Sequence, residues 1–99
     1  MLEITGNVQT IPVEGTDPTI DAQSNCRYMC GEVNTISITP SLTGICNFVF
    51  TSGSSPAVLT LPSTVKMPEW FDITLLDTNR IYEISISDGI YGAVTSWVL

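Results

Sequence analysis

The chain predicts an all-β fold, an antiparallel β-sandwich or barrel-like module of about seven short strands. Three observations lead there. Short runs rich in Val, Ile, Thr, Tyr and Phe recur along the chain. Turn-forming clusters separate them at intervals of roughly 8 to 12 residues. β-Branched residues and turn formers also interrupt every window in which a long helix would have to form.

The elements follow in order. Residues 1–24 read as an extended leader, poor in large apolar side chains, that packs against a neighbouring subunit rather than folding alone. Within it, residues 2–5 and 8–13 are short strand candidates separated by Gly6-Asn7, a hairpin-type turn signal. Residues 14–19 (EGTDPT) form a loop by their Gly, Asp and Pro content. Residues 25–99 then form the sandwich module. Its first strands are residues 27–33 and Thr35–Thr39, the latter with Ile36 and Ile38 on one face. Pro40 to Gly44 make a turn. Residues 45–51 (ICNFVFT) place Cys46, Phe48 and Phe50 on one face and Ile45, Asn47 and Val49 on the other. The loop of residues 52–56 leads into residues 57–61, and two runs joined by such a loop predict a hairpin. Pro62 ends that strand because it has no N–H to offer a ladder.

The closing hairpin organises the C-terminal part. Arg80–Ser87 (RIYEISIS) and residues 90–98 (IYGAVTSWV) flank Asp88-Gly89. A type I′ turn needs φ > 0 at both central positions, which Gly tolerates freely and Asp better than most. With a two-residue loop, Ser87 faces Ile90, Ile86 faces Tyr91, Ile84 faces Ala93 and Tyr82 faces Thr95. Tyr91 and Ala93 then share the face of Tyr82, Ile84 and Ile86. Between the two predicted hairpins lies an irregular stretch, 63–79. It is longer than most connections in compact domains, which makes it a packed or functional loop. Pro68-Glu69-Trp70-Phe71 within it reads as a single helical turn with Pro in the first position.

Composition removes several function classes. The net charge is −7, with Arg27, Lys66 and Arg80 against ten carboxylates. Nucleic-acid binding needs phosphate-neutralising cations, and anionic membrane surfaces attract the same groups, so neither is expected. No apolar run approaches the roughly 20 residues of a membrane-spanning helix, and the N-terminus lacks the basic start and apolar core of a signal peptide. Charged residues make up 13% of the chain, about half the usual share. Thr, Ser and Asn take their place, as on assembling or glycan-facing surfaces.

Catalytic chemistry finds little to stand on. The chain contains no His, so His-based nucleophilic triads and the common His metal sites are absent. Asp17 with Asp21, or Glu69 with Asp72, read as solvated loop acids rather than a glycosidase pair. Asp17, Asp77 and Asp88 match no calcium-loop spacing. The expectation is a non-enzyme without metal or cofactor. Cys26, Cys30 and Cys46 are an odd number. Cys26 and Cys30 on one strand would sit about 13 Å apart at roughly 3.3 Å per residue, too far for a disulfide. They read as small hydrophobes of a chain folded in a reducing cytosol, with a bridge from Cys46 as the alternative. Trp70 and Phe71, with Glu69 beside them, have two readings: rings that anchor the loop by burial, or a platform on which a sugar ring stacks. Trp97, near the end of the last strand, reads as core or subunit interface.

The order of elements from residue 59 onward resembles terminal modules of bacteriophage fibre and tail-associated structural proteins, of the kind carried by prophages of gut Firmicutes. The matching elements are an apolar strand with a Pro-ended turn (residues 59–62), a Val-Lys-Met-Pro segment (65–68), a strand (81–86), Asp88-Gly89, and an aromatic-rich last strand (91–97). With the upstream half, the resemblance covers roughly residues 20–99. Glu69-Trp70-Phe71 depart from the glycines frequent at that place in the pattern. The resemblance implies a virion component, made in the bacterial cytoplasm and acting in assembly and host attachment. It further implies a homo-oligomer, with a trimer favoured, that contacts other virion proteins and a host cell-surface glycan. The alternative is a carbohydrate-binding module of a secreted or surface bacterial protein.

Overall fold

β-Branched and aromatic runs become strands here because each offers one face to a shared apolar interior. The computed structural model describes residues 8–99. Among them are eight strands: β1 (Gln9–Val13), β2 (Thr19–Asp21), β3 (Cys26–Glu32), β4 (Thr35–Thr39), β5 (Ile45–Ser52), β6 (Val58–Thr60), β7 (Arg80–Ser87) and β8 (Tyr91–Val98). The chain is all-β. The expected strand at residues 2–5 and the Gly6-Asn7 turn lie outside the described residues.

The strands form a five-stranded sheet, ordered β1-β3-β5-β7-β8, and a three-stranded sheet, ordered β2-β4-β6. The five-stranded sheet is mixed and the three-stranded sheet is wholly parallel, which corrects the antiparallel expectation. β1, β3 and β5 run parallel, as do β2, β4 and β6; only β5–β7 and β7–β8 are antiparallel. The chain alternates between sheets, and each return adds the next strand parallel to the last. Residues 9–60 therefore wind as three stacked two-strand coils.

The corners stack as well. Asn34 N–H donates to the Thr16 carbonyl at 2.6 Å, and Val58 N–H to the Asn34 carbonyl at 2.9 Å. β1 and β2, within the segment read as a leader, pair with β3 and β4. The hairpin expected between β5 and β6 does not form. Ser52 Oγ accepts the Ala57 N–H at 2.9 Å, and the chain turns there into the other sheet.

The interior is apolar and aromatic. Cys46, Phe48, Phe50, Ile36, Ile84 and Ile86 are fully buried. Coils stack ring on ring: Tyr28 lies over Phe48 with centroids 5.4 Å apart and planes 13° from parallel. Phe50 stacks on Tyr82 at 5.6 Å. The hydroxyls of both tyrosines are satisfied, Tyr28 accepting the Gln23 N–H at 2.8 Å and Tyr82 the Asp77 N–H at 2.9 Å. Burial pushes the Tyr28 hydroxyl above its ordinary pKa, against the opposing effect of the Gln23 bond. Cys26 and Cys46 stand opposite one another on β3 and β5, and all three thiols are free. Burial raises the pKa of Cys30 and Cys46.

The closing hairpin keeps its turn and changes its register. Asp88 and Gly89 have φ of 55° and 69°, the left-handed pair required of the turn. Ile90 N–H bonds the Ser87 carbonyl at 3.0 Å. Ile90 is then an extra residue, so Ser87 faces Tyr91, Ile86 faces Gly92, Ile84 faces Val94 and Tyr82 faces Ser96. A one-residue slip turns every side chain of a strand to the other face. Tyr91, Ala93, Thr95 and Trp97 consequently lie on the outer face rather than with Ile84 and Ile86. The turn is bonded to its neighbour: Asp88 N–H donates to the Gly44 carbonyl at 2.8 Å, and Gly44 N–H to Asp88 Oδ1 at 3.2 Å.

Candidate functional site

The irregular stretch of residues 63–79 is clipped to the hairpin by backbone bonds. Lys66 N–H donates to the Ile90 carbonyl at 2.6 Å, and Gly92 N–H donates to the Lys66 carbonyl at 2.9 Å. Gly92 allows this approach because a Cβ there would collide with Met67 Sδ. Farther on, the Phe71 N–H bonds the Pro68 carbonyl at 3.0 Å, so Pro68-Glu69-Trp70-Phe71 closes as a β-turn rather than the helical turn expected. Leu76 is buried, and the Asn79 N–H ties the end of the stretch to the Gly53 carbonyl at 2.8 Å.

Within that turn the two aromatic residues divide the two readings. Phe71 packs against the core, its ring 6.0 Å from that of Tyr82. Trp70 stands edge-on to Phe71, centroids 5.8 Å apart and planes at 73°, and is 70% exposed. Phe71 anchors; Trp70 is offered to solvent. Glu69 is exposed beside it. Asp72 is committed locally, its Oδ1 accepting the Thr74 hydroxyl at 2.6 Å and the Thr74 N–H at 2.9 Å. Those two bonds hold its carboxyl below the usual carboxylate range. An open indole face of this kind can stack on the C–H groups of a sugar ring.

Other surfaces have their own chemistry. A shallow apolar groove of about 330 Å³ runs between β6 and residues 73–76, with Val58, Leu59, Ile73 and Leu75 among its lining. On the outer face of the larger sheet, Asn47 Nδ2 donates to Ser85 Oγ at 2.8 Å and to Glu83 Oε2 at 3.2 Å. Glu83 also meets Arg27 Nη1 at 3.4 Å. Asn47 is buried and its Oδ1 has no partner among the described residues. Leaving such an acceptor unsatisfied costs about 1–3 kcal/mol. This cluster was missed from sequence, where its signal was a lone Asn inside the apolar run ICNFVFT.

The remaining expectations fall as follows. Asp88 and Gly89 form the turn, and Asp88 additionally secures Gly44. Asp17 accepts the Thr35 hydroxyl at 3.0 Å, pinning its loop to β4. Among the described residues no group of three or more His, Cys, Asp or Glu side chains is placed to hold a metal ion. No described helix is long and apolar enough to cross a membrane. Trp97 is not core; it is 49% exposed on the outer face of β8, on the side that carries Tyr91.

No protein-family model, curated protein or solved structure matches this chain.

Proposed function

We propose that this chain is a non-catalytic structural module of a bacteriophage or prophage particle, in its tail, fibre or capsid decoration. It acts in the virion by assembling with other copies and other virion proteins, and by contacting the host surface. We take the two sheets as the layers of a sandwich-type module, since one buried cluster draws on both. The observation that carries the reading is the outer strand β8. It carries no charged side chain in a chain of net charge −7, and it leaves Tyr91, Trp97 and Val98 exposed. Uncharged apolar surface of this kind is characteristic of contact regions between subunits. The resemblance in residues 59–97 supplies the particle.

Light scattering on the purified chain tests the reading. A mass of two or more chains is expected. A clean monomer throughout the micromolar range would count against assembly through its own copies.

The exposure of Trp70 favours a second role, contact with a host cell-surface glycan, and the same feature would serve a carbohydrate-binding module of a secreted bacterial protein. A glycan-array signal should disappear in Trp70→Ala while the fold persists. A signal indifferent to that substitution removes the indole from the account.

A further inference from the structure

Antiparallel pairing fixes which way each backbone group of β8 points. Leu99 N–H donates to the Asn79 carbonyl at 3.0 Å, so residues 91, 93, 95 and 97 exchange bonds with β7. The intervening residues point their N–H and C=O away from β7. At the start of β8 those outward groups meet Lys66, through Ile90 and Gly92. Beyond it, Val94, Ser96 and Val98 each present one donor and one acceptor, and among the described residues nothing pairs with them.

The opposite edge of the same sheet is blunted. Gln9 N–H donates to the Asn25 carbonyl, so Gln9, Ile11 and Val13 face β3 while Thr10 and Pro12 face outward. Pro12 thus places its missing N–H where a further strand would need one, a recognised protection of sheet edges. β8 has no such protection: no Pro, no charge, no bulge between Gly92 and Val98.

We infer that β8 pairs with β8 of a second copy, antiparallel, about a two-fold axis at Ser96. The sequence Val94-Thr95-Ser96-Trp97-Val98 is self-complementary in that register. Val94 meets Val98 of the other copy on one face, and Thr95 meets Trp97 on the other, covering part of its exposed ring. Ser96 meets itself, its Oγ already engaged by Arg80 Nη2 at 2.9 Å. The contact joins the two five-stranded sheets into one continuous sheet, and its two-fold symmetry closes it at two chains. Two copies of an acidic chain approach with least repulsion along this uncharged strand. A single seam is smaller than the roughly 1,200–2,000 Å² of stable interfaces, so the dimer dissociates on dilution.

The inference rests on the reading of the chain as an assembly module and names the contact. Sedimentation velocity over a concentration series, with hydrogen exchange at its upper end, tests it. Expected are a two-chain species and slow exchange at Val94, Ser96 and Val98 that is lost on dilution, while Thr95 and Trp97 stay protected throughout. Ser96→Pro removes one outward N–H without breaking a backbone bond to β7, at the cost of the Arg80 contact with Ser96 Oγ, and should abolish the dimer. Val98→Lys, at an exposed position, should do so as well and serves if the proline variant fails to fold. A three-chain species, a dimer whose outward amides exchange freely, or folded variants that remain dimeric would overturn the two-fold seam while leaving assembly standing. A monomer at all concentrations would overturn both.

Discussion

At residue scale, backbone conformation and close approach decide which substitutions matter. Gly89 holds φ at 69°, and a Cβ there would meet the Ser41 carbonyl at 3.1 Å and Leu42 at 3.2 Å. A β-branched residue resists positive φ, so Gly89→Val is expected to cost at least about 1 kcal/mol in urea unfolding. An unchanged midpoint would mean that the turn tolerates a different geometry. Asp72 offers a second handle. Its depressed pKa means that the folded state favours the carboxylate, so the contribution is full above the unfolded pKa and fades as pH falls through the lower folded value. Thr74→Val removes the hydroxyl bond and should move the Asp72 titration upward, toward the ordinary carboxylate range, in a carbon-detected NMR titration. The variant's stability deficit should be present at neutral pH and close on acidification. Asp88-Gly89 was legible in the sequence because its conformational demand is local. The extra residue Ile90 was not, because the Lys66 clip that engages its carbonyl comes from the far side of β7 in the chain.

At the scale of elements, the loop and the hairpin behave as one unit joined by the Lys66 bonds and by Phe71 on Tyr82. Phe71→Ala should therefore destabilise by about 1–3 kcal/mol, less than a fully buried Phe because the ring is only half-buried. Trp70→Ala should stay within about 0.5 kcal/mol, as exposed positions usually do. Thermal melts of the pair separate anchor from platform; equal losses would mean that both rings hold the loop. Most strand positions were legible in period-two alternation. Pairing was not. Alternation reports which face of a strand is buried and carries no information about its neighbour. The short connection 53–57 suits a hairpin equally well as the corner that Ser52 Oγ makes by capturing the Ala57 N–H.

For the whole molecule, the coils of residues 9–60 and the hairpin of β7 and β8 share one core, with β5 at the junction. Phe48 sits there, fully buried between Tyr28 and Ile84 in neighbouring strands. Phe48→Ala is expected to cost about 3–5 kcal/mol, much of the stability of a small domain. Urea unfolding should remain a single transition by fluorescence and circular dichroism. Two separated transitions would show that coils and hairpin fold independently.

An all-β chain with short strands, an Asp-Gly turn and an interior built on Cys46, Phe48 and Phe50 was written in the local pattern of residue types. These features follow from period-two burial and from the φ demands of single residues, both of which act over a few positions. The winding of the chain was not written there. Gln9 pairs with Cys26, Cys26 with Cys46, and Thr35 with Val58, so the sequence separation between partners differs from one coil to the next. Unequal coils, with a register shift in β3 between Met29 and Glu32, leave no repeat to find. Parallel stacking emerges only when distant strands compete for the same interior, and that competition also exposes the outer edge of β8.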